Sequence, residues 1–218
     1  MVVLSSIASG SWNHERRLAD FGLSTELIHT ALRPGLTRAT NRSSKALRST
    51  PGTDIYNDAM EQFHQLLAED GWSLTYVDQQ PRLVHPDGLI AFTVAAGRNV
   101  GNGDVRIKPR TGRKGKATRQ SLQVSRTQVP MLFGAEEAYL EAELDASART
   151  APLWLLVHER TSSGLNLELS RPSAMTPGGI VNDWAEQIPI KFLDLDGDLS
   201  IFDVPDDDGD INVSVEPL

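Results

Sequence analysis

A chain of 218 residues, 39% hydrophobic and 23% charged, has material for a sizeable core and is not composed like a disordered polymer. It contains no cysteine, which excludes disulfides, thiolate zinc sites and a cysteine nucleophile. The net charge of −8 conceals a division: Met1–Ala135 carries 17 Lys/Arg against 11 Asp/Glu, whereas the stretch from Glu136 onward carries 4 against 18. Such asymmetry points to a polyanion-binding part beside an acidic one. The first ten residues lack a basic leader and no run of about 18 apolar residues occurs, so the expectation is a cytoplasmic protein without a membrane span.

In chain order, Leu18, Phe21, Leu27, Ile28, Ala31 and Leu32, with Ser24 as N-cap, predict a helix that reaches about Arg33 and is broken by Pro34-Gly35. Arg38, Arg42, Lys45 and Arg48 follow with no acidic residue among them, at spacings that share one face if helical; a solvated stretch is the ordinary expectation. After Pro51-Gly52-Thr53, the residues Ile55, Ala59, Phe63, Leu66 and Leu67 recur at helical period until Gly71, with Trp72 folding back on the last turn. Ser73–Val77 reads as a strand. Arg82–His85 and Leu89–Ala96 read as a hairpin about Pro86-Asp87-Gly88, and Gly97–Asp104 as a glycine-bearing loop.

Gln120–Pro130 fits neither pattern, and Ala135–Arg149 has the composition of a helix. Leu153–Glu159 is a near-continuous apolar run suited to a central strand, joined through Ser162-Ser163-Gly164 to the alternating Leu165–Ser170. Ile180–Ile188 reads as a short helix, with strands at Ile190–Leu193 and Ile211–Val215 around an acidic loop. Together these predict an α+β fold, a mostly antiparallel sheet packed by two to four helices. A basic helical extension, 1–50, would precede a single core domain, 51–218, with an acidic C-terminal loop. Trp154 and Trp184, set in apolar runs, are expected in the core.

The segment Val105–Arg119 carries the strongest local signal. Arg106, Lys108, Arg110, Arg113, Lys114, Lys116 and Arg119 stand without an acidic residue, and Gly112 and Gly115 would keep the backbone flexible and able to approach another surface. Such a loop can neutralise several phosphates of DNA or RNA without reading sequence. No aromatic residue is interleaved, so a stacking platform is missing, and pairing with the chain's own acidic residues or plain solvation would use the same charges. Gly115-Lys116 is followed by Ala117, which breaks the P-loop pattern, and Gly97, Gly101 and Gly103 do not have dinucleotide spacing.

Asp194–Asp210 holds eight aspartates and no basic residue. Counted from Asp194, Leu199 and Pro205 occupy the positions where a calcium loop needs Gly and Glu, so a solvated acidic loop is the better reading. For catalysis little is present: His158 and Glu159 are neighbours on a strand and point oppositely, and no nucleophile elbow occurs. Glu168 and Ser170 share a strand face, but a nuclease of the PD-(D/E)xK type wants a lysine where Ser170 stands. The expectation is therefore no catalytic residue, no metal site and no cofactor.

The blocks PGTDIYNDAMEQFHQLLAEDGW, HPDGLIAFTVAAGRNVGNGD, PRTGRKGKATRQS, PLWLLVHE, LNLELSRPS and GGIVNDWAEQIPI, with the late acidic stretch and INVSV, resemble a group of uncharacterised bacterial proteins of prophages and integrative elements. The resemblance runs from about Thr50 to the C-terminus and carries no assigned activity. It implies a mobile-element or phage-defence setting and a partner protein from the same locus. The functional expectation is a non-catalytic nucleic-acid-binding accessory protein. The alternatives are a protein-interaction or scaffold component and a metal-dependent phosphodiester hydrolase using the C-terminal aspartates.

Overall fold

The computed structural model describes residues 13–102, 104, 106–124 and 146–195. A short helix α1 (13–19) leads into α2 (Thr25–Thr40), whose N-cap Ser24 accepts a hydrogen bond from the Leu27 amide at 3.1 Å. α2 does not stop at Pro34-Gly35 as the sequence suggests. It runs through both because Leu36 and Ala39 bury their side chains beyond them, and packing of this kind outweighs proline's helix penalty of about 3 kcal/mol. Gly35 is there for proximity: a Cβ would stand 2.7 Å from the Ile55 Cα of α3 (Thr50–Leu67). Two ion pairs cross the same helix contact. Arg42 forks onto Asp54 at 2.8 Å for each bond, holding that carboxyl below its ordinary range, and Arg38 Nε lies 3.1 Å from Asp58 Oδ2. Half of the early basic run is thus matched to carboxylates rather than merely solvated.

A left-handed pair, Asp78 and Gln79, closes the hairpin of β1 (Ser73–Val77) and β2 (Gln80–Val84). β3 (Ala91–Arg98) and the two-residue β4 (Arg110–Thr111) follow, then α4 (Lys116–Val124) and a helical turn α5 (146–150). β5 (Leu153–Arg160), β6 (Gly164–Met175) and β7 (Val181–Asp194) complete the sheet. The strand order is β1-β2-β3-β5-β6-β7 with β4 added to β3, and among the described strands only β3–β5 is a parallel pair. The fold is α+β with a mostly antiparallel seven-stranded sheet. β5 is central and its apolar run is covered on both faces, as the sequence indicates.

Alternate residues supply two cores. One face places Leu83, Phe92, Val94, Trp154, Leu156, Leu167 and Leu169 against helices α1 to α3. Phe63 meets Phe92 edge-on at 5.2 Å, and Phe21 meets Trp154 likewise. Residues 13–50 are accordingly docked, with Leu18, Phe21, Ile28 and Leu32 at 5% exposure or less. The other face sets Ala95, Leu153, Leu155 and Val157 against Val181 and Trp184. Over its β1–β2 end, Arg82 is fully buried and donates to the carbonyls of Ala117 and Ala148, tying down α4 and α5.

The helix expected at Ile180–Ile188 is strand β7. Its outer end is held by α2, where His29 Nε2 meets the Lys191 carbonyl at 2.8 Å and Arg33 donates to the Asp194 carbonyl at 3.2 Å. Among the described residues no helix is long and apolar enough to cross a membrane. The strand expected at Ile211–Val215, the acidic run beyond Leu195 and most of the helix expected at Ala135–Arg149 lie outside the described residues.

Candidate anion-binding site

The basic segment is woven into the fold instead of hanging free as a flexible loop. β3 continues to Arg98, past the point where the sequence suggests a loop begins, and pairs with β4: Gly97 opposite Thr111, Arg98 opposite Arg110. Gly97 makes this possible, since a Cβ there would stand 2.4 Å from Val157 Cγ1 and 3.2 Å from the Arg110 carbonyl oxygen. Three further bonds pin the segment to β7 and its hairpin tip. Trp184 Nε1 donates to the Pro109 carbonyl at 2.8 Å, the Val181 amide to Thr111 Oγ1 at 3.2 Å, and the Lys114 amide to the Gly179 carbonyl at 2.7 Å. Close approach is used at Gly97 and at Gly179, whose φ is +86°. Gly112 and Gly115, which the sequence singles out for that role, face open space.

The seven basic side chains do not converge on one surface. Arg106 forks onto Asp104 at 2.8 and 3.0 Å and holds that carboxyl below its ordinary range. Lys108 Nζ sits 2.5 Å from Asp183 Oδ1 and, with the Ser173 hydroxyl, depresses the Asp183 carboxyl in the same way. Arg119 donates to the Pro177 carbonyl at 3.1 Å, in a cleft shared with Leu122 and Met175. Lys114 is half-buried, and burial pushes its pKa down to about 8. Arg110, Arg113 and Lys116 are exposed and make no ion pair among the described residues.

The register adds three residues that the sequence does not single out for binding. Arg98 stands opposite Arg110, and both are exposed without a carboxylate among the described residues. Arg160 ends β5 two residues past the last β3–β5 pair, Ala96 beside His158, as Arg98 ends β3. Strand alternation therefore puts Arg98, Arg110, Arg160 and His158 on one face at one end of the sheet. His158 is 3% exposed, and neither ring nitrogen has a hydrogen-bond partner among the described residues. Burial, with the charge of Lys114, pushes its pKa down to about 4, so it is neutral at pH 7. Only the pairing register reveals this grouping, because 62 residues separate Arg98 from Arg160 in the chain.

The Glu168–Ser170 pair is closed on itself. Glu168 Oε1 accepts from the Ser170 hydroxyl and, at 2.8 Å, from Gln187 Nε2, all at 3% exposure or less for the first two residues. This satisfies one oxygen of a buried carboxyl. Glu159, on the face opposite His158, accepts from the Val100 amide at 3.0 Å. No group of three His, Asp or Glu side chains among the described residues is placed to hold a metal ion. No family model, curated protein or solved structure matches the chain.

Proposed function

We propose that the chain is a non-catalytic nucleic-acid-binding accessory protein that grips phosphates through the exposed part of its basic segment. The observation that carries this reading is the cross-strand pair of Arg98 and Arg110. Like charges directly opposite on paired strands work against the pairing by a few tenths to about 1 kcal/mol. A phosphate lodged between two guanidiniums turns that repulsion into two charge-assisted contacts. Arg113 and Lys116 extend the positive surface along the chain on either side of Lys114. Asp104, Asp183 and the Pro177 carbonyl withdraw Arg106, Lys108 and Arg119, so these three position the segment and make no phosphate contact of their own. The setting implied by the sequence blocks, a mobile-element or phage-defence locus, belongs to the same proposal.

Binding should be sequence-independent and steeply salt-sensitive. In a gel-shift titration with a 20-base-pair duplex, affinity is expected to fall by at least about tenfold between 50 and 200 mM salt. Charge reversal of Arg110, Arg113 and Lys116 to Glu should abolish binding, whereas Lys108→Gln should leave the salt slope unchanged. A slope near zero would remove the reading. The ion pairs of Lys108 and Arg106 favour a second reading, a protein-interaction component whose basic segment meets carboxylates. Crosslinking with neighbouring gene products in the absence of nucleic acid tests it.

A further inference from the structure

We infer that Arg98, Arg110 and Arg160 form a site for a single dianionic phosphate monoester, with Lys114 and His158 behind it; this rests on the reading above and narrows the ligand to a phosphorylated end. Three observations carry it. First, three exposed arginines gather where β3, β4 and β5 end, two of them directly opposed, with no carboxylate paired to any of them among the described residues. The acidic residues nearest along the chain are engaged elsewhere: Glu159 takes the Val100 amide and Asp104 takes Arg106.

Second, His158 lies two residues before Arg160 on the same face, buried and with both nitrogens unsatisfied among the described residues. Leaving a buried polar group unpaired is costly, so such a group in a native fold calls for an explanation, and a ligand that supplies the missing partner is one. Third, the Gly112 amide donates to the Ala96 carbonyl beside His158, which brings Lys114 close enough for its charge to act on the imidazole. A half-buried ammonium without a carboxylate, and an imidazole N–H without an acceptor, among the described residues supply donors beyond what a solvent-facing phosphate track uses. Guanidinium forks match the oxygens of a terminal phosphate, which carries nearly twice the charge of an internal diester. No aromatic platform is interleaved along the segment, so the end group, not a stacked base, would be what is recognised.

The test compares two duplexes labelled at the 3′ end, one with a 5′-phosphate and one with a 5′-hydroxyl, by fluorescence anisotropy at about 100 mM salt. The phosphorylated duplex should bind at least about tenfold tighter. Arg98→Gln and Arg160→Gln should each erase that preference, while a paired Arg113→Gln and Lys116→Gln variant should weaken both duplexes and keep it. Inorganic phosphate and a nucleoside monophosphate are titrated separately while the His158 ring signals are followed by NMR. A shift of those signals that Arg98→Gln removes, together with no duplex binding, supports the monoester site with a free ligand and removes the nucleic-acid reading. Equal binding of the two duplexes overturns the site and leaves that reading standing. No response to any of the four ligands overturns both.

Discussion

His158 ties the stability of the molecule to pH in a calculable direction. Its imidazole has a folded pKa near 4 against about 6.5 when unfolded, so between those values the unfolded chain holds the extra proton. Stability is fully present above about pH 6.5 and is lost as pH falls toward 4. Between pH 7 and 4.5 the loss from this group should be on the order of 2 kcal/mol. Urea unfolding midpoints at the two pH values should therefore separate less in His158→Leu than in the parent. Equal separation in both would place the pH dependence elsewhere. The residue type was plain in the sequence, and so was the opposite orientation of its neighbour Glu159. Its lack of partners was not, because burial of a histidine depends on which strands flank it. The basic segment had the same ambiguity: its composition indicated positive charge, but Asp183 lies 75 residues from Lys108 and only folding reveals that pair.

At the level of elements, what was legible and what was not divide along periodicity. α3, β1, the β2–β3 hairpin and β5 follow from strong local patterns, and their boundaries fall within a few residues of expectation. β7 reads as a helix in the sequence because Ile180, Trp184 and Ile188 are four apart, a spacing that suits a helix and also a period of two. Register shifts opposite Arg171–Met175 add to the confusion, since they break the even alternation at the start of the strand. Pro34-Gly35 failed as a stop signal for a different reason: tertiary burial on both sides of it outweighed local preference. Gly35 offers a direct check on that account. Gly35→Ala should cost about 1–3 kcal/mol by forcing α2 and α3 apart, read as a lower denaturation midpoint with unchanged folded helicity. A neutral result would mean that the helix pair can shift without loss.

The described part of the molecule is organised by a sheet whose two faces are covered by unlike partners, helices α1 to α3 on one side and β4, α4 and α5 with the β7 tip on the other. The α+β class was legible from hairpin spacing alone, while the single parallel pair was not, since it joins strands separated by the long connection that carries the basic segment. The outermost strand has a further consequence. β7 is 14 residues long and is the last of the described strands in the sheet order, the kind of border along which a foreign strand can dock and start a fibre. Two of its carbonyls are already occupied by His29 and Arg33, and Pro189 withholds an amide. α2 thus acts as a guard against recruitment, and His29→Ala with Arg33→Ala should give concentration-dependent aggregates, visible by light scattering, from a protein whose circular dichroism is unaltered.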